Sequence, residues 1–250
     1  MSLVTDARPD AAPDWAGMAI FRPVRTGNAF EEAVERILQA VKLGVFPHGS
    51  RLPVERDLAV RLNVSRATVR DAIRSLQEAG YVTSRHGRYG GTFVAYQIPE
   101  PDPDDLRRAA AGISDRLDDA ITYRHVLEAG AAERAALTGL SDRRRDYLTR
   151  RLREVAGAPP AEYRLADSRF HLAIAELTES PSLTASIAEC RMRLNDLLNA
   201  IPMLARNIEH ASTQHQAIAQ AILAGDAAAA RQATAEHVDA TAALIRGFLG

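Results

Sequence analysis

The chain has one cysteine, one tryptophan and one lysine, and only 5% of its residues are aromatic. A lone Cys190 cannot close an intrachain disulfide, so a reducing compartment is expected. Long apolar stretches are missing too: no uninterrupted run reaches the length needed to span a bilayer. The opening residues, MSLVTDARPDAAPDWAGM, mix acids with prolines and hold no continuous apolar core, which excludes an ordinary secretory signal. Net charge is also scarce, at −1 over 250 residues, so nothing global advertises a nucleic-acid partner. These absences leave a soluble, cytoplasmic protein without membrane association as the expectation.

The near-zero charge conceals an asymmetry. Residues 22–96 carry 12 Lys+Arg against 7 Asp+Glu, a net of +5, whereas residues 97–250 carry 18 against 22, a net of −4. A basic module joined to an acidic one points to a different partner for each. With 46% hydrophobic and 25% charged residues, the composition is that of a globular chain of one large or two ordinary domains.

Periodicity divides the chain further. Residues 1–24 read as a flexible tail and 25–96 as a first domain. Within it, Phe30, Val34, Ile37, Leu38 and Val41 stripe one face of a helix that Gly44 would cap. VERDLAVRLN forms a short helix, and Ser65 is placed to N-cap a third, with only Asn63 and Val64 between them. YVTSRHGRYGGTFVAY has the β-formers and central glycines of a hairpin. Three helices and a hairpin make a winged helix-turn-helix. QIPEPDPDD, with three prolines and four acids, is the linker, placed at 97–105. The rest, 106–250, reads as an all-α bundle of about seven helices, drawn from segments 104–112, 115–138, 141–156, 161–179, 181–199, 203–224 and 226–248.

Arg66, Arg70 and Arg74 recur every fourth residue on the third helix, opposite Val69, Ile73 and Leu76. The second helix of such a motif enters the major groove with its first turn nearest the bases. That turn holds Ser65, Arg66, Thr68 and Arg70. Arginine reads the O6 and N7 of guanine with two donors, and hydroxyls suit phosphates or base edges. Arg51 and Arg56 are placed to grip phosphates, and His86, Gly87 and Arg88 occupy the wing tip. Double-stranded DNA is the expected partner.

The run GSRLPVERDLAVRLNVSRATVRDAIRSLQEAGYV, followed by RHGRYGGTFV, resembles the DNA-binding domain of GntR-family bacterial transcription regulators over residues 28–96. The resemblance implies that Arg56, Arg66 and Arg70 stand at the family's DNA-contacting arginines. It also implies that Ser65 and Thr68 stand at its hydroxyl positions and His86 and Gly87 at its wing tip. Ala67 departs from the pattern where relatives often carry threonine, which bears on the identity of one base read.

The helical half carries a second constellation. Asp167 and His171 lie four apart on one helix, and His215 and His237 fall on the apolar seams of two others. Three imidazoles and one carboxylate facing a bundle core suit one divalent transition metal per chain, zinc first, with nickel or manganese as alternatives. Four protein donors close a tetrahedral shell but leave two places in an octahedral one. His48, His125 and His210 fall off these seams. The pieces YRHVLEAGAAERAA, DSRFHLAIAELTESPSL, HQAIAQAILAGDAAAA and EHVDA resemble the FCD ligand-binding domain of FadR-type members of the same family. By that resemblance Asp167, His171, His215 and His237 match the metal-binding set of many FCD domains, a set that the acyl-CoA-binding members lack. Arg124 matches a pocket-facing position and is the first choice for an effector contact; Arg191, Arg193 and Asn195 are weaker choices.

The expected function is a ligand-responsive transcription regulator. It would act as a homodimer on a pseudo-palindromic operator, with a small organic acid bound at the metal. The rival is a metal-dependent enzyme acting on a small carboxylate, with a DNA-binding module attached. Against it stand the lack of HExxH spacing and of a clear general base beside the cluster.

Overall fold

A computed structural model describes residues 29–87, 90–98 and 114–249. The expected tail, most of the linker, the expected helix over 104–112 and Arg88 lie outside the described residues.

Helix α1 (Ala29–Lys42) buries Ala33, Ile37, Ala40 and Val41, while Val34 and Leu38 pack at the margin. Phe30, assigned by spacing to the same stripe, is 39% exposed in the first turn of the helix. Gly44 ends the helix at φ +69°, and the amide of Val45 reaches back to the carbonyl of Ala40 at 3.0 Å. Helix α2 (Glu55–Leu62) ends at Asn63 in the left-handed conformation, a residue type that tolerates it. Helix α3 (Arg66–Glu78) follows, capped by Ser65, whose side chain accepts from the amide of Thr68. Its buried face is Val69, Ala72, Ile73 and Leu76, so the arginines at 66, 70 and 74 point outward.

Strands β1 (Val82–Arg85) and β2 (Gly91–Val94) pair antiparallel from Val82↔Val94 to Arg85↔Gly91. A bridge from Arg51 to Phe93 ties the turn before α2 to this wing. The N-terminal part is therefore a winged helix-turn-helix.

Among the described residues the C-terminal part holds six helices: α4 (Ser114–Leu137), α5 (Asp142–Ala156), α6 (Pro160–Leu177), α7 (Pro181–Asn199), α8 (Ala205–Ala224) and α9 (Ala227–Leu249). Helix α4 lies along α9, and α8 and α9 form a hairpin turned at Gly225. Helix α6 packs against α4, α5 and α7, and most of its residues from Tyr163 to Leu177 are buried. A helix buried nearly all round normally carries only apolar side chains. This one also carries Asp167, Ser168 and His171.

The two parts touch through α6 and α7. A Cβ on Gly44 would lie 2.7 Å from the Cβ of Leu165, a separation real side chains do not tolerate. Arg169 donates to the carbonyl of Gly44 at 3.0 Å, and Lys42 pairs with Asp196 at 2.8 Å.

Candidate functional site

At the N-terminal face, Arg51, Arg56 and Arg66 surround a hollow of about 280 Å³ with Glu55, Gly91 and Thr92. Gly91 leaves room for Arg51, which lies across the start of β2: a Cβ would stand 2.4 Å from its Nε and push that side chain aside. Arg70 is tied to Glu55, with Nη2 donating to Oε2 at 3.0 Å and Nε at 3.3 Å. Arg74 stands 3.9 Å from Asp71. The hydroxyls of Ser65 and Thr68 bond each other at 2.8 Å while Ser65 caps the helix, so both are held in place at its start. His86 and Gly87 are exposed at the wing tip. Sequence reasoning missed Arg85, whose guanidinium lies 4.6 Å from the centre of the Phe93 ring and stiffens the wing by a cation–π contact.

The second site is built around α6. Asp167 and His171 on one face of that helix meet His215 of α8 and His237 of α9, with one donor atom from each lying within 4.8 Å of the others. Asp167 Oδ1 is 3.2 Å from Nε2 of His215 and 3.8 Å from Nε2 of His171. The rings crowd one another, with His171 stacked on His237 at 5.0 Å and His215 at 4.8 Å from His237.

A second layer orients these groups. Glu128 Oε2 sits 3.1 Å from Nδ1 of His171, and Gln214 Oε1 sits 3.0 Å from Nδ1 of His237. An acceptor beside Nδ1 keeps the proton there and leaves the Nε2 lone pair free. Asp167 Oδ2 is held by Arg191 Nη2, which leaves Oδ1 to the histidines. Among the described residues, neither Nε2 of His171 nor either ring nitrogen of His215 has a hydrogen-bond partner, although all three are buried. Buried lone pairs without a donor are costly, and a cation at their centre would satisfy them. The donor set therefore fits a borderline divalent metal ion.

Electrostatics favour the same state. Burial pushes the Asp167 carboxyl upward, but Arg191, with His215 and His171, holds it well below the usual carboxylate range. Glu128 is likewise pushed up by burial and held well down by Arg124, His171 and Arg191. Burial lowers His171, and burial with the neighbouring imidazoles lowers His237 further. Two carboxylates stay charged and two histidines stay neutral, as metal ligation requires.

A cavity of about 70 Å³ opens beside this cluster, lined in part by Arg124, Asp167, Arg191 and His237. Arg124 is buried and stands 3.2 Å from Glu128. Of the weaker candidates only Arg191 lines the cavity. Arg193 does not: two positions further along the helix it points outward and bonds Glu189 at 2.7 Å. Asn195 is buried but faces α6, donating to Ser168 at 2.9 Å, so it joins the two helices instead of lining the space. Arg164 lines the cavity and was not singled out from the sequence. Its signal was present, since a residue three before Asp167 shares that face of α6.

A winged helix-turn-helix with outward arginines, joined to a helical domain enclosing a His/Asp cluster, is the architecture of a DNA-binding regulator. The chain belongs to the GntR family of bacterial regulatory proteins: that family's model matches residues 29–94, and the FCD domain model matches residues 119–240. It is 34% identical to a protein of Mycobacterium gastri named as the HTH-type transcriptional regulator RmpR, over 88% of this chain and 81% of that one. It is 30% identical to a protein of Escherichia coli K12 named as an L-lactate dehydrogenase operon regulatory protein, over 83% of each. The solved structure of E. coli McbR/YncC shares the fold at a TM-score of 0.53 and 20% identity, covering 89% of this chain and 99% of that one. The two sequence relatives are named as regulators, and the chain stands with them and not with metal-dependent enzymes. No helix among the described residues is long and apolar enough to cross a membrane.

Proposed function

We propose that the protein is a ligand-responsive transcription regulator of the bacterial cytoplasm, in which a homodimer binds a pseudo-palindromic operator and a small carboxylate in the C-terminal domain alters that binding. The division proposed is 25–96 for DNA, 97–105 as linker and 106–250 for the effector. One observation carries the reading: the buried Asp167, His171, His215 and His237 cluster adjoins a cavity whose wall includes the guanidinium groups of Arg124 and Arg191. Fixed cations around an enclosed space favour an anionic occupant.

Each residue has a distinct part. Asp167, His171, His215 and His237 would hold one divalent ion, zinc first, which when bound supplies Lewis-acid attraction for a carboxylate oxygen. Glu128 and Gln214 hold their histidines in the ligating tautomer, and Arg191 aims Asp167. Arg124 orients the arriving carboxylate. On the other domain Arg66 and Arg70 read bases, Arg51, Arg56 and Arg88 hold phosphates or the groove edge, and Ser65, Thr68, His86 and Gly87 complete the contact. Effector binding shifts the population of domain placements and with it operator affinity.

The test is calorimetric titration of a carboxylate panel (hydroxy acids, keto acids and sugar acids) into metal-loaded and metal-stripped protein, with operator gel shifts alongside. Binding that requires the metal and changes the gel shift is the expected result. Equal affinity with and without metal would reduce the ion to a structural staple.

A further inference from the structure

Polarity changes steadily along the cavity beside the cluster. On α7 the wall passes from Arg191 to Leu194 and Leu198, and on α9 from His237 to Thr241 and Leu244. Spacings of three and four keep each set on one helix face. On α8 Ala211 and Ile208 continue the same face away from His215. The space therefore runs from an ionic end to a hydrocarbon wall.

Arg164 lies toward the far end of that wall. It stands one turn before Asp167 on α6, and its Nη2 donates to the carbonyl of Ile201, beyond Leu198 at the end of α7, at 2.7 Å. The other two guanidinium groups of the cavity already have carboxylates. Arg191 is paired with Asp167 and stands 3.5 Å from Glu128, and Arg124 stands 3.2 Å from Glu128. Both guanidinium groups are shared with those carboxylates and lie at the ionic end. Arg164 makes no ion pair among the described residues: its guanidinium bonds a backbone oxygen, and Asp167, the carboxylate whose charge it feels one turn on, is already taken by Arg191 and the histidines. Burial lowers its pKa to about 10, so the group remains charged at neutral pH. A cation partly withdrawn from water with no ion pair of its own carries a desolvation cost, and an arriving anion offsets it.

We propose that Arg164 seats a second anionic group, so that the effector is a short aliphatic dicarboxylate. One carboxylate sits at the histidine–aspartate cluster, the methylene spacer lies along Leu194, Leu198 and Leu244, and the other carboxylate meets Arg164. This rests on the reading of the cluster as a carboxylate site. The size agrees: a water needs roughly 10–15 Å³ of such space, so about 70 Å³ holds about five waters, the bulk of a small acid.

The experiment is calorimetry on the metal-loaded full-length protein with acids matched in length: succinate against butyrate, glutarate against valerate, and adipate against hexanoate. For at least one pair the dicarboxylate is expected to bind tenfold or more tightly than its partner. Arg164→Gln should bring the dicarboxylate down to the monocarboxylate level, with metal content and monocarboxylate affinity unchanged, and Arg164→Lys should keep part of the preference. Equal affinities within every pair overturn the proposal while leaving the carboxylate reading intact. A preference that survives in Arg164→Gln, or loss of metal from that variant, also overturns it by making Arg164 a structural pin for Ile201. If that variant fails to fold, the comparison within pairs on the native chain decides. No binding of any member to metal-loaded protein would overturn the carboxylate reading and this proposal together.

Discussion

Asp167 gives one carboxylate oxygen to Arg191 and turns the other toward the histidines. Arg191 is fully buried, with Glu128 as its second anion. Removing one partner of a buried pair leaves the remaining charge uncompensated, which costs about 3–5 kcal/mol. Arg191→Met is therefore expected to lower stability by about that amount and to weaken metal retention, because Asp167 loses its orientation. Urea denaturation with metal analysis checks this; a loss under about 1 kcal/mol would mean the pair behaves like an exposed one.

DNA recognition should separate into two classes of variant. Arg66→Ala and Arg70→Ala are each expected to cost roughly 1–3 kcal/mol on the operator and to relax one base position. Arg51→Ala and Arg56→Ala should weaken all sequences alike and reduce the salt slope by about one. Gel-shift titration over a salt series distinguishes the classes. Unchanged operator affinity in both Arg66→Ala and Arg70→Ala would end the assignment.

Much of this was legible in the sequence, for reasons that can be stated residue by residue. Ser65 and Gly44 marked helix ends because capping depends on local chemistry alone. Val69, Ile73 and Leu76 marked a buried face because their spacing matches the helical turn. The histidines at 215 and 237 stood on apolar seams, and both are buried. What stayed hidden was direction at a finer scale. Arg191 and Arg193 are two residues apart and so on nearly opposite sides of α7, and nothing local says which side faces inward. Asn195 answers to Ser168 of another helix. Glu128 and Gln214 orient ring nitrogens across helix interfaces, which no spacing within one helix reveals.

Metal content gives a third prediction. The double variant His215→Ala, His237→Ala is expected to retain no stoichiometric metal by elemental analysis. In the native chain, free metal at a hundredfold over its Kd should raise stability by about 2.7 kcal/mol. A double variant with full occupancy would place the ion elsewhere.

Acid should destabilise the metal-stripped protein, beginning near neutrality. His171 and His237 are lowered in the folded state, so below about pH 6.5 the unfolded chain binds protons that the folded chain refuses. Stability then falls with decreasing pH by up to about 2.7 kcal/mol per unit for the two groups. Glu128 and Asp167 act in the same direction at lower pH. Their contribution is present above about pH 4, the unfolded carboxylate value, and is lost as pH falls through their lower folded values. Urea midpoints measured between about pH 4 and 8 check this, and a flat profile would contradict it.

Arg169 sits midway in sequence between Asp167 and His171 and therefore on the opposite side of α6, where it holds the carbonyl of Gly44. Leu165, on that same side, leaves Gly44 no room for a Cβ. Helix α6 is thus placed as an axle would be: any roll that regrouped the ligands on one side would carry the rim on the other side the opposite way. With a side-chain radius of about 5–6 Å, a roll of about 20° displaces that rim by about 2 Å. Arg169→Leu should therefore keep its metal and its resting operator affinity while the effector loses its influence on DNA, as read by gel shift with and without ligand. An unaltered response would show that the motion travels by another route. Gly44 closes helix α1 of the N-terminal domain, so a turn of α6 would arrive first at the base of the domain that carries the recognition helix.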